Sequence, residues 1–419
     1  MIQLNPLLFT FLVAFVLRSA ASLVLNGLNI TYLRSKGGDV PEPFREVIDP
    51  EKLKTMSAYT VDSVRVGVVA TLVYQAIVLL ILLSGILPGW VDLVRSWGWG
   101  VIAEGLLFFG VLAVVTNLAR LPFSLYDTFV IEARYGFNTL TFKTWILDLV
   151  KSLIVVSFLG GLVLGLVLWL MVQGGKIWWL WAWILLGLFE LLMLWLFPVI
   201  IAPLFNQFEP MENNPLVDQI KTLMGTVGLR VKGVFRMDAS KRSKHTNAYF
   251  TGVGRTKRIV LFDTLLESHT SEEILAVLSH EVGHWKKQHI LKHLIFLEGL
   301  SLVLLYAVAR LLDWPPLYET FGFHEPAPYV GLFLIGTWIS AIGYFVQPVE
   351  SAISRKFERE ADDFAVALMK KSDPMRSALK RLAVDNLSNL TPHPLYTWFY
   401  DGHPPLAERI SRLKDIEPV

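Results

Sequence analysis

The sequence contains no cysteine. Disulfide bonds and thiolate metal ligands are therefore excluded, and any metal site must be built from histidine and carboxylate side chains. Histidine is also scarce, with 9 residues in a chain of 419. Each histidine can therefore be considered in turn as a candidate ligand.

Charged residues are few as well. Only 18% of the residues are charged and 53% are hydrophobic, and the mean hydropathy is +0.50. These values are typical of a multi-pass membrane protein and not of a soluble domain. The net charge is +2 and no basic tract occurs, so we expect membrane lipid around the chain and no nucleic-acid partner.

Seven apolar stretches are long enough to cross a bilayer as helices. They are residues 7–28, 66–87, 101–119, 153–172, 177–201, 294–312 and 329–349. The first has no cationic segment before it and no small-residue cleavage site after it. We therefore expect this stretch to remain in the protein as a membrane span and not to be removed as a signal peptide.

The basic residues of the loops orient these spans. The loops expected inside contain Arg34, Lys36, Arg45, Lys52 and Lys54, and then Arg120, Arg134 and Lys143. The loops expected outside contain only Arg95, then Lys176, and no Lys or Arg in residues 313–328. The positive-inside rule then predicts an external N-terminus.

This orientation predicts how the chain is organised. Residues 1–201 form spans one to five with their loops, and residues 294–349 form spans six and seven. The polar segments 202–293 and 350–419 both fall on the cytoplasmic side, so we expect them to assemble into one α+β domain. In that domain the pattern predicts strands at 247–250 and 258–262, joined through Gly252 to Gly254. Helices are predicted at 271–287, with Ser271 as N-cap, and at 351–371.

The helix at 271–287 carries the sequence His280-Glu281-Val282-Gly283-His284. Two histidines four residues apart project from one helix face, so both imidazoles can reach one metal ion. Glu281 can take a proton from a water that the ion activates. The alternative is an amphipathic helix that happens to contain two histidines.

A catalytic zinc ion needs a third protein ligand, and the helix at 351–371 offers one. Glu358 and Asp362 lie four residues apart on a stripe of small residues, so Glu358 is the candidate ligand and Asp362 a candidate acceptor for a ligand imidazole N–H. Glu360 is expected on a solvated, charged face. His289 and His293 are expected to continue the motif helix with His289 rotated away from the metal, as residues of the membrane interface.

Ionisable residues also occur inside the apolar stretches: Arg18, Glu104, Glu190 and Glu298. Such groups usually face a protein interior or a wet cavity, and interhelical pairing is the alternative.

The ordered set of motifs resembles the type I CAAX prenyl proteases, which are multi-spanning membrane zinc endopeptidases. The resemblance covers nearly the whole chain. It rests on residues 121–132 (LPFSLYDTFVIE), 136–138 (GFN), 240–243 (SKRS), 247–250 (NAYF), 257–266 (KRIVLFDTLL), 280–285 (HEVGHW) and 403–409 (HPPLAER), with Ser354, Arg355, Glu358, Ala361 and Asp362.

The resemblance implies a mainly α fold in which seven spans enclose a chamber, with a small gluzincin-like domain at the cytoplasmic face. It implies that His280, His284 and Glu358 bind zinc and that Glu281 acts as the general base. It implies that Asp362 is a carboxylate that supports the zinc ligands without binding the ion. It also implies an edge strand of Asn247, Ala248 and Tyr249 that pairs with substrate, and substrate or oxyanion contacts from His403 and Arg409. For these two, a proline-led helix start at His403 and a surface position for Arg409 are the alternatives.

The function that follows is hydrolysis of extended or prenylated CAAX-type peptides with one zinc ion. The alternatives are a broad quality-control protease and a zinc-stabilised membrane transporter or scaffold without catalysis. The chain ends without a dilysine retrieval signal, which favours a bacterial inner-membrane protein. The endoplasmic reticulum membrane is the expectation if the source is eukaryotic.

Overall fold

The computed structural model describes residues 2–36, 38–212, 214–252 and 257–416. Helices α1 to α17 run over Pro6–Lys36, Pro50–Leu83, Ile86–Ser96, Val101–Tyr126, Phe142–Gln173, Trp178–Leu196, Ala202–Phe205, Pro215–Thr226, Asp263–Ser268, Ser271–Lys286, His289–Leu311, Pro315–Glu319, Pro328–Gly343, Gln347–Met369, Asp373–Asp385, Pro394–Tyr400 and Leu406–Lys414. Strands β1 to β4 run over Phe208–Pro210, Gly233–Met237, Ala248–Thr251 and Arg258–Phe262.

Among these residues, seven helical segments are long and apolar enough to cross a membrane, which confirms the mainly α, seven-span prediction. They are Pro6–Lys36, Pro50–Leu83, Val101–Glu132, Phe142–Gln173, Gly175–Phe205, His289–Leu311 and Pro328–Met369. Several extend well beyond their apolar stretches. The second begins at Pro50 because the Asp49 side chain accepts a hydrogen bond of 2.7 Å from the backbone N–H of Lys52 and caps the helix there.

The seventh segment combines a span with a helix of the polar domain. A short 3₁₀ turn, Tyr344–Val346, joins α13 to α14, so the helical path is continuous from Pro328 to Met369. The helix predicted at 351–371 therefore begins four residues earlier, at Gln347, as the direct extension of the span.

A four-stranded sheet with strand order β1-β2-β4-β3 forms one layer of the polar domain. Strands β2 and β4 are parallel, and β3 pairs antiparallel with β4 from the edge. The predicted strand at 258–262 is confirmed, and the one predicted at 247–250 is observed at Ala248–Thr251. The predicted connection through Gly252 to Gly254 lies largely outside the described residues.

Helix α10 packs on this sheet and starts with a capping box. The Thr270 side chain accepts from the N–H of Glu273, whose carboxylate accepts from the backbone of Thr270 at 2.8 Å. The N-cap is therefore Thr270, and the prediction of Ser271 was wrong by one residue. The error arose because Ser271 and Thr270 are both good caps, while only Thr270 places Glu273 at the third helical position.

The two polar segments share one hydrophobic core. Val277, Leu278 and Val282 of α10 pack with Ala378 of α15, beside Phe364 of α14. A second cluster joins the C-terminal helices to the loop between the first two spans and to the start of α2. Its members include Phe44, Ile48, Leu53, Met56, Leu379, Ile410 and Leu413.

Helices α10 and α14 approach each other closely at Gly283. A Cβ atom at this position would lie 2.9 Å from the Cα of Ala361 and 3.1 Å from its carbonyl oxygen. These are backbone atoms, so they cannot move aside as the end of a flexible side chain can. Only glycine lets the two helix backbones come this close.

Gly283→Ala is therefore expected to push α10 and α14 apart and to destabilise the fold by about 1–3 kcal/mol through overpacking. The measurement is the thermal unfolding midpoint in detergent. Gly225→Ala is the matched control, because Gly225 lies in helix α8 with no atom within 4 Å of an added Cβ. It should be neutral or stabilising by about 1 kcal/mol. Equal midpoints for the two variants would contradict the close contact.

Candidate active site

Helix α10 holds His280 and His284 one turn apart, and α14 brings Glu358 opposite them. The two Nε2 atoms are 3.2 Å apart. Glu358 Oε2 lies 3.4 Å from Nε2 of His280, and Oε1 lies 3.3 Å from Nε2 of His284. Within the described ranges, these three side chains form a group able to hold a metal ion.

The spacing fits one tetrahedral ion. Ligand atoms about 2.0–2.1 Å from an ion are about 3.3 Å from one another. The two Nε2 atoms have this separation, and each lies at a similar distance from one of the two Glu358 carboxylate oxygens. Two imidazoles and one carboxylate leave a fourth position open for water or substrate, as in catalytic zinc sites. The donor set therefore fits a catalytic ion.

Asp362 contacts the Nδ1 side of the His280 ring, and Arg409 in turn binds Asp362. The Nδ1 atom of His280 lies 2.8 Å from Oδ1 of Asp362. Burial lowers the pKa of His280, but the carboxylates of Asp362 and Glu358 outweigh it and raise the pKa to about 9. The surrounding carboxylates therefore favour positive charge at this position.

Arg409 is buried and donates two hydrogen bonds to the Asp362 carboxylate, from Nε at 2.9 Å and from Nη2 at 2.7 Å. Its third nitrogen, Nη1, lies 3.4 Å from Oε2 of Glu358. The alternative of a surface cation is therefore excluded by the geometry. A bidentate pair of this kind fixes the carboxylate in one orientation.

His284 has a different supporting group, which the sequence did not reveal. Its Nδ1 atom lies 3.1 Å from Nδ1 of His289, and Nε2 of His289 lies 3.0 Å from Oε2 of Glu360. The expectations that His289 points away from the metal face and that Glu360 is merely solvated were wrong. The cause is Gln288, whose φ of 57° ends α10 and starts α11 in a new direction, so His289 does not continue the motif helix.

Glu281 lies beside the same group of ligands. Burial raises the pKa of its carboxyl group above the ordinary value for glutamate. The charges that act on it most strongly are those of His280, His284 and Glu358. A carboxyl group in such surroundings can exchange a proton with a reactant at the cluster.

His403 lies in the loop before α17, which begins at Leu406. Its side chain is 69% exposed, and Nδ1 lies 2.8 Å from Oε2 of Glu358. It also lines a cavity of about 400 Å³ with Tyr396, Tyr400 and Asn389. His403 therefore precedes a helix, as one reading of the sequence expected, and also faces the candidate metal ligands.

The predicted substrate strand lies at the free edge of the sheet. Ala248 and Tyr249 belong to β3, which packs against α10 and has only β4 beside it in the described sheet. Asn247 directly precedes the strand and is exposed. The second edge of β3 is thus available for an extended peptide next to the motif helix.

The ionisable residues of the spans divide between the two expected environments. Glu104 is buried and accepts a hydrogen bond of 3.3 Å from the Tyr329 hydroxyl, which is an interhelical pair. Arg18 lines a cavity of about 250 Å³ and donates to Ser340 at 2.9 Å. The carboxylate of Glu298 lies against Gly187 of α6, where an added Cβ would come within 3.3 Å of it.

Comparison with known proteins places the chain in a family. Residues 29–207 match the family described as CAAX prenyl protease N-terminal, five membrane helices, and residues 210–417 match peptidase family M48. A CAAX prenyl protease 1 homolog of Oryza sativa subsp. japonica is 33% identical over 90% of this chain and 91% of its own length. CAAX prenyl protease 1 of Saccharomyces cerevisiae is 36% identical over 79% of this chain and 76% of its own length.

A solved structure agrees with these matches. The crystal structure of S. mikatae Ste24p superimposes with a TM-score of 0.92 at 30% sequence identity, covering 99% of this chain and 100% of that one. The resemblance first recognised in the motifs is thereby confirmed, together with the multi-pass membrane fold. This chain is a membrane metallopeptidase of family M48 and belongs to the CAAX prenyl proteases.

Proposed function

We propose that this chain is a zinc endopeptidase that cleaves extended peptides, including prenylated peptides of the CAAX type. The observation that carries the proposal is the convergence of His280, His284 and Glu358 on one point, with Glu281 beside them. A structural metal site needs neither a base nor an open coordination position. These two features favour catalysis over a scaffold or transporter role.

The roles follow from the positions of the side chains. A zinc ion held by His280, His284 and Glu358 would polarise the scissile carbonyl and lower the pKa of the attacking water. Glu281 accepts the proton of that water and delivers it to the leaving amine. Asp362, held by Arg409, keeps the imidazole of His280 in the orientation that presents Nε2 to the ion.

We assign stabilisation of the developing oxyanion to His403. Its Nδ1 atom lies against Oε2 of Glu358, which leaves Nε2 of the exposed imidazole to donate a hydrogen bond to the oxyanion. The resemblance implied this role for Arg409 as well. The Arg409 guanidinium is committed to Asp362, however, so its part is to position that carboxylate.

The substrate backbone pairs with the free edge of β3 in this proposal. Asn247, Ala248 and Tyr249 would supply backbone groups to an added strand, which gives affinity without demanding a particular sequence. The α10–β3 contact then holds the peptide next to Glu281.

Replacing Glu281 by Gln is expected to retain one zinc ion per chain and to reduce cleavage of an extended peptide by about 10²–10⁴-fold, because proton transfer is lost while the ligands stay. Metal content by mass spectrometry and turnover of a quenched fluorescent peptide check this. Glu272→Gln, on an exposed side chain of the same helix, is the control and should leave both unchanged. Unchanged turnover of the Glu281→Gln variant would contradict the assignment of Glu281 as the general base. Zinc bound to the unaltered chain without hydrolysis of any tested peptide would favour the scaffold.

The prenyl part of the proposal is supported by an apolar cleft of about 610 Å³ between α11 and α13. Phe296 and Leu300 line one side, and Ile339 and Ile342 line the other. The cleft reaches Gln347, the first residue of the helix that carries Glu358. An isoprenoid chain in this cleft would lie among apolar side chains of the two spans while its peptide extends toward the ligands.

A prenylated peptide is therefore expected to be cleaved with a kcat/KM at least about tenfold above that of the same peptide without the prenyl group, mainly through KM, because buried methylene groups add affinity. Ile339→Trp should reduce this advantage by filling the cleft. Val156→Trp, on an exposed position of α5 away from the cleft, should not. Equal cleavage of the two peptides by the unaltered chain would favour the broad quality-control protease.

We propose that residues 202–293 and 350–419 work as one catalytic domain on the cytoplasmic side, in a bacterial inner membrane or, in a eukaryotic source, in the endoplasmic reticulum. Loop charge supports this side, since the basic residues cluster between the first and second spans and between the third and fourth. The proposal is also supported by Phe44 of that basic loop, which belongs to the same hydrophobic cluster as Leu379 and Ile410 of the catalytic domain.

The absence of native cysteine allows a direct test of sidedness. Single cysteines at Thr222, exposed on α8, and at Ser96, exposed at the end of α3, would be labelled in sealed right-side-out vesicles with a membrane-impermeant maleimide. We expect Ser96→Cys to react at once and Thr222→Cys only after detergent is added. The reverse pattern would place the active site outside.

A further inference from the structure

The two candidate metal-binding imidazoles are supported in different ways. Both direct Nε2 at the point where the ion would lie, which leaves Nδ1 of each for a second contact. The Nδ1 atom of His280 meets a carboxylate directly, at 2.8 Å from Asp362. The Nδ1 atom of His284 meets another imidazole, that of His289, and the carboxylate of Glu360 stands behind it.

Hydrogen-bond chemistry fixes the direction of the second arrangement. When Nε2 of His284 binds a metal, its Nδ1 carries the proton and must donate. Nδ1 of His289 then accepts at 3.1 Å, so the proton of this neutral imidazole is on Nε2. That N–H donates to Oε2 of Glu360 at 3.0 Å. Each atom in the series has one role, and the acceptor at the end is a carboxylate.

The surroundings hold His289 in place for this task. Its side chain is only 3% exposed, and its ring stacks on Phe357 with 4.2 Å between ring centroids and 7° between planes. The left-handed conformation of Gln288 turns the chain so that His289, the first residue of α11, faces back toward α10. A non-glycine residue with positive φ is costly, and such strain is retained where the surrounding structure fixes it.

We propose that His289 and Glu360 form a positioning relay that fixes the tautomer and orientation of His284 and so sets how tightly the metal is held. The inference rests on the proposed zinc site and adds to it two residues that never touch the ion. Loss of an outer hydrogen-bond partner of a metal-binding histidine typically costs 10–100-fold in metal affinity. The relay also links the ion to α11, the helix that begins the sixth span.

The test measures zinc affinity and not activity alone. His289→Phe keeps the stacked ring but has no acceptor for His284, and Glu360→Leu removes the end of the relay. Each is expected to weaken zinc binding about 10–100-fold in competition with a chromogenic chelator. Glu360→Gln keeps a carbonyl oxygen that can accept from His289, so it should restore affinity to within a few-fold of the unaltered chain.

Asp363→Asn is the matched control. Asp363 is a charged residue of the same helix whose carboxylate pairs with Arg412, away from His289. Its zinc affinity should equal that of the unaltered chain. The double variant His289→Phe, Glu360→Leu should bind zinc no more weakly than the weaker single variant, because residues in series lose one shared function.

The possible outcomes distinguish failure of the relay from failure of the proposed zinc site. If the unaltered chain binds no zinc, the proposed function fails together with the relay. If the unaltered chain binds zinc and the His289 and Glu360 variants bind it equally well, the relay alone is overturned. A lower unfolding midpoint of the metal-free variants, with zinc affinity unchanged, would show a purely structural role and would also overturn it. Because Glu360 is partly exposed, at 31%, its two variants test the idea even if His289→Phe does not fold.

Discussion

The close contact between α10 and α14 is the constraint on which the site depends. The two helices belong to segments separated by two membrane spans, and each contributes only part of the ligand set. Gly283, between the two motif histidines, lets the backbones approach until an added Cβ would lie 2.9 Å from Ala361. At a larger separation the carboxylate of Glu358 would no longer lie within 3.4 Å of the two imidazoles.

Local helix periodicity explains what the sequence predicted well. The spacing of His280 and His284, and of Glu358 and Asp362, depends only on residues one turn apart on a helix, so both pairs could be placed before their helices were seen together. The seven spans could also be predicted from the sequence, because a long apolar stretch forms a membrane-spanning helix more readily than any other structure.

The misplacement of His289 originates in the backbone geometry of a single residue. His289 was assigned to the far face of a continuous helix, and Gln288 interrupts that helix with a φ of 57°. No propensity argument marks a glutamine as a left-handed residue, so the relay through Glu360 stayed hidden. The helix of the second span also begins well before its apolar stretch, because Asp49 caps it in polar sequence.

Glu358, the third candidate ligand, is connected to the membrane spans differently from His280 and His284. Glu358 belongs to a helical path that runs without a break in its described course from Pro328 to Met369, whereas α10 meets the sixth span at the bend of Gln288. Because no loop separates the seventh span from α14, a change in the tilt of that span would be passed to Glu358 through the 3₁₀ turn Tyr344–Val346. Helix tilt responds to the thickness of the surrounding hydrocarbon. The thickness of the membrane is thus linked, through a single helical path, to the position of the candidate ligand Glu358.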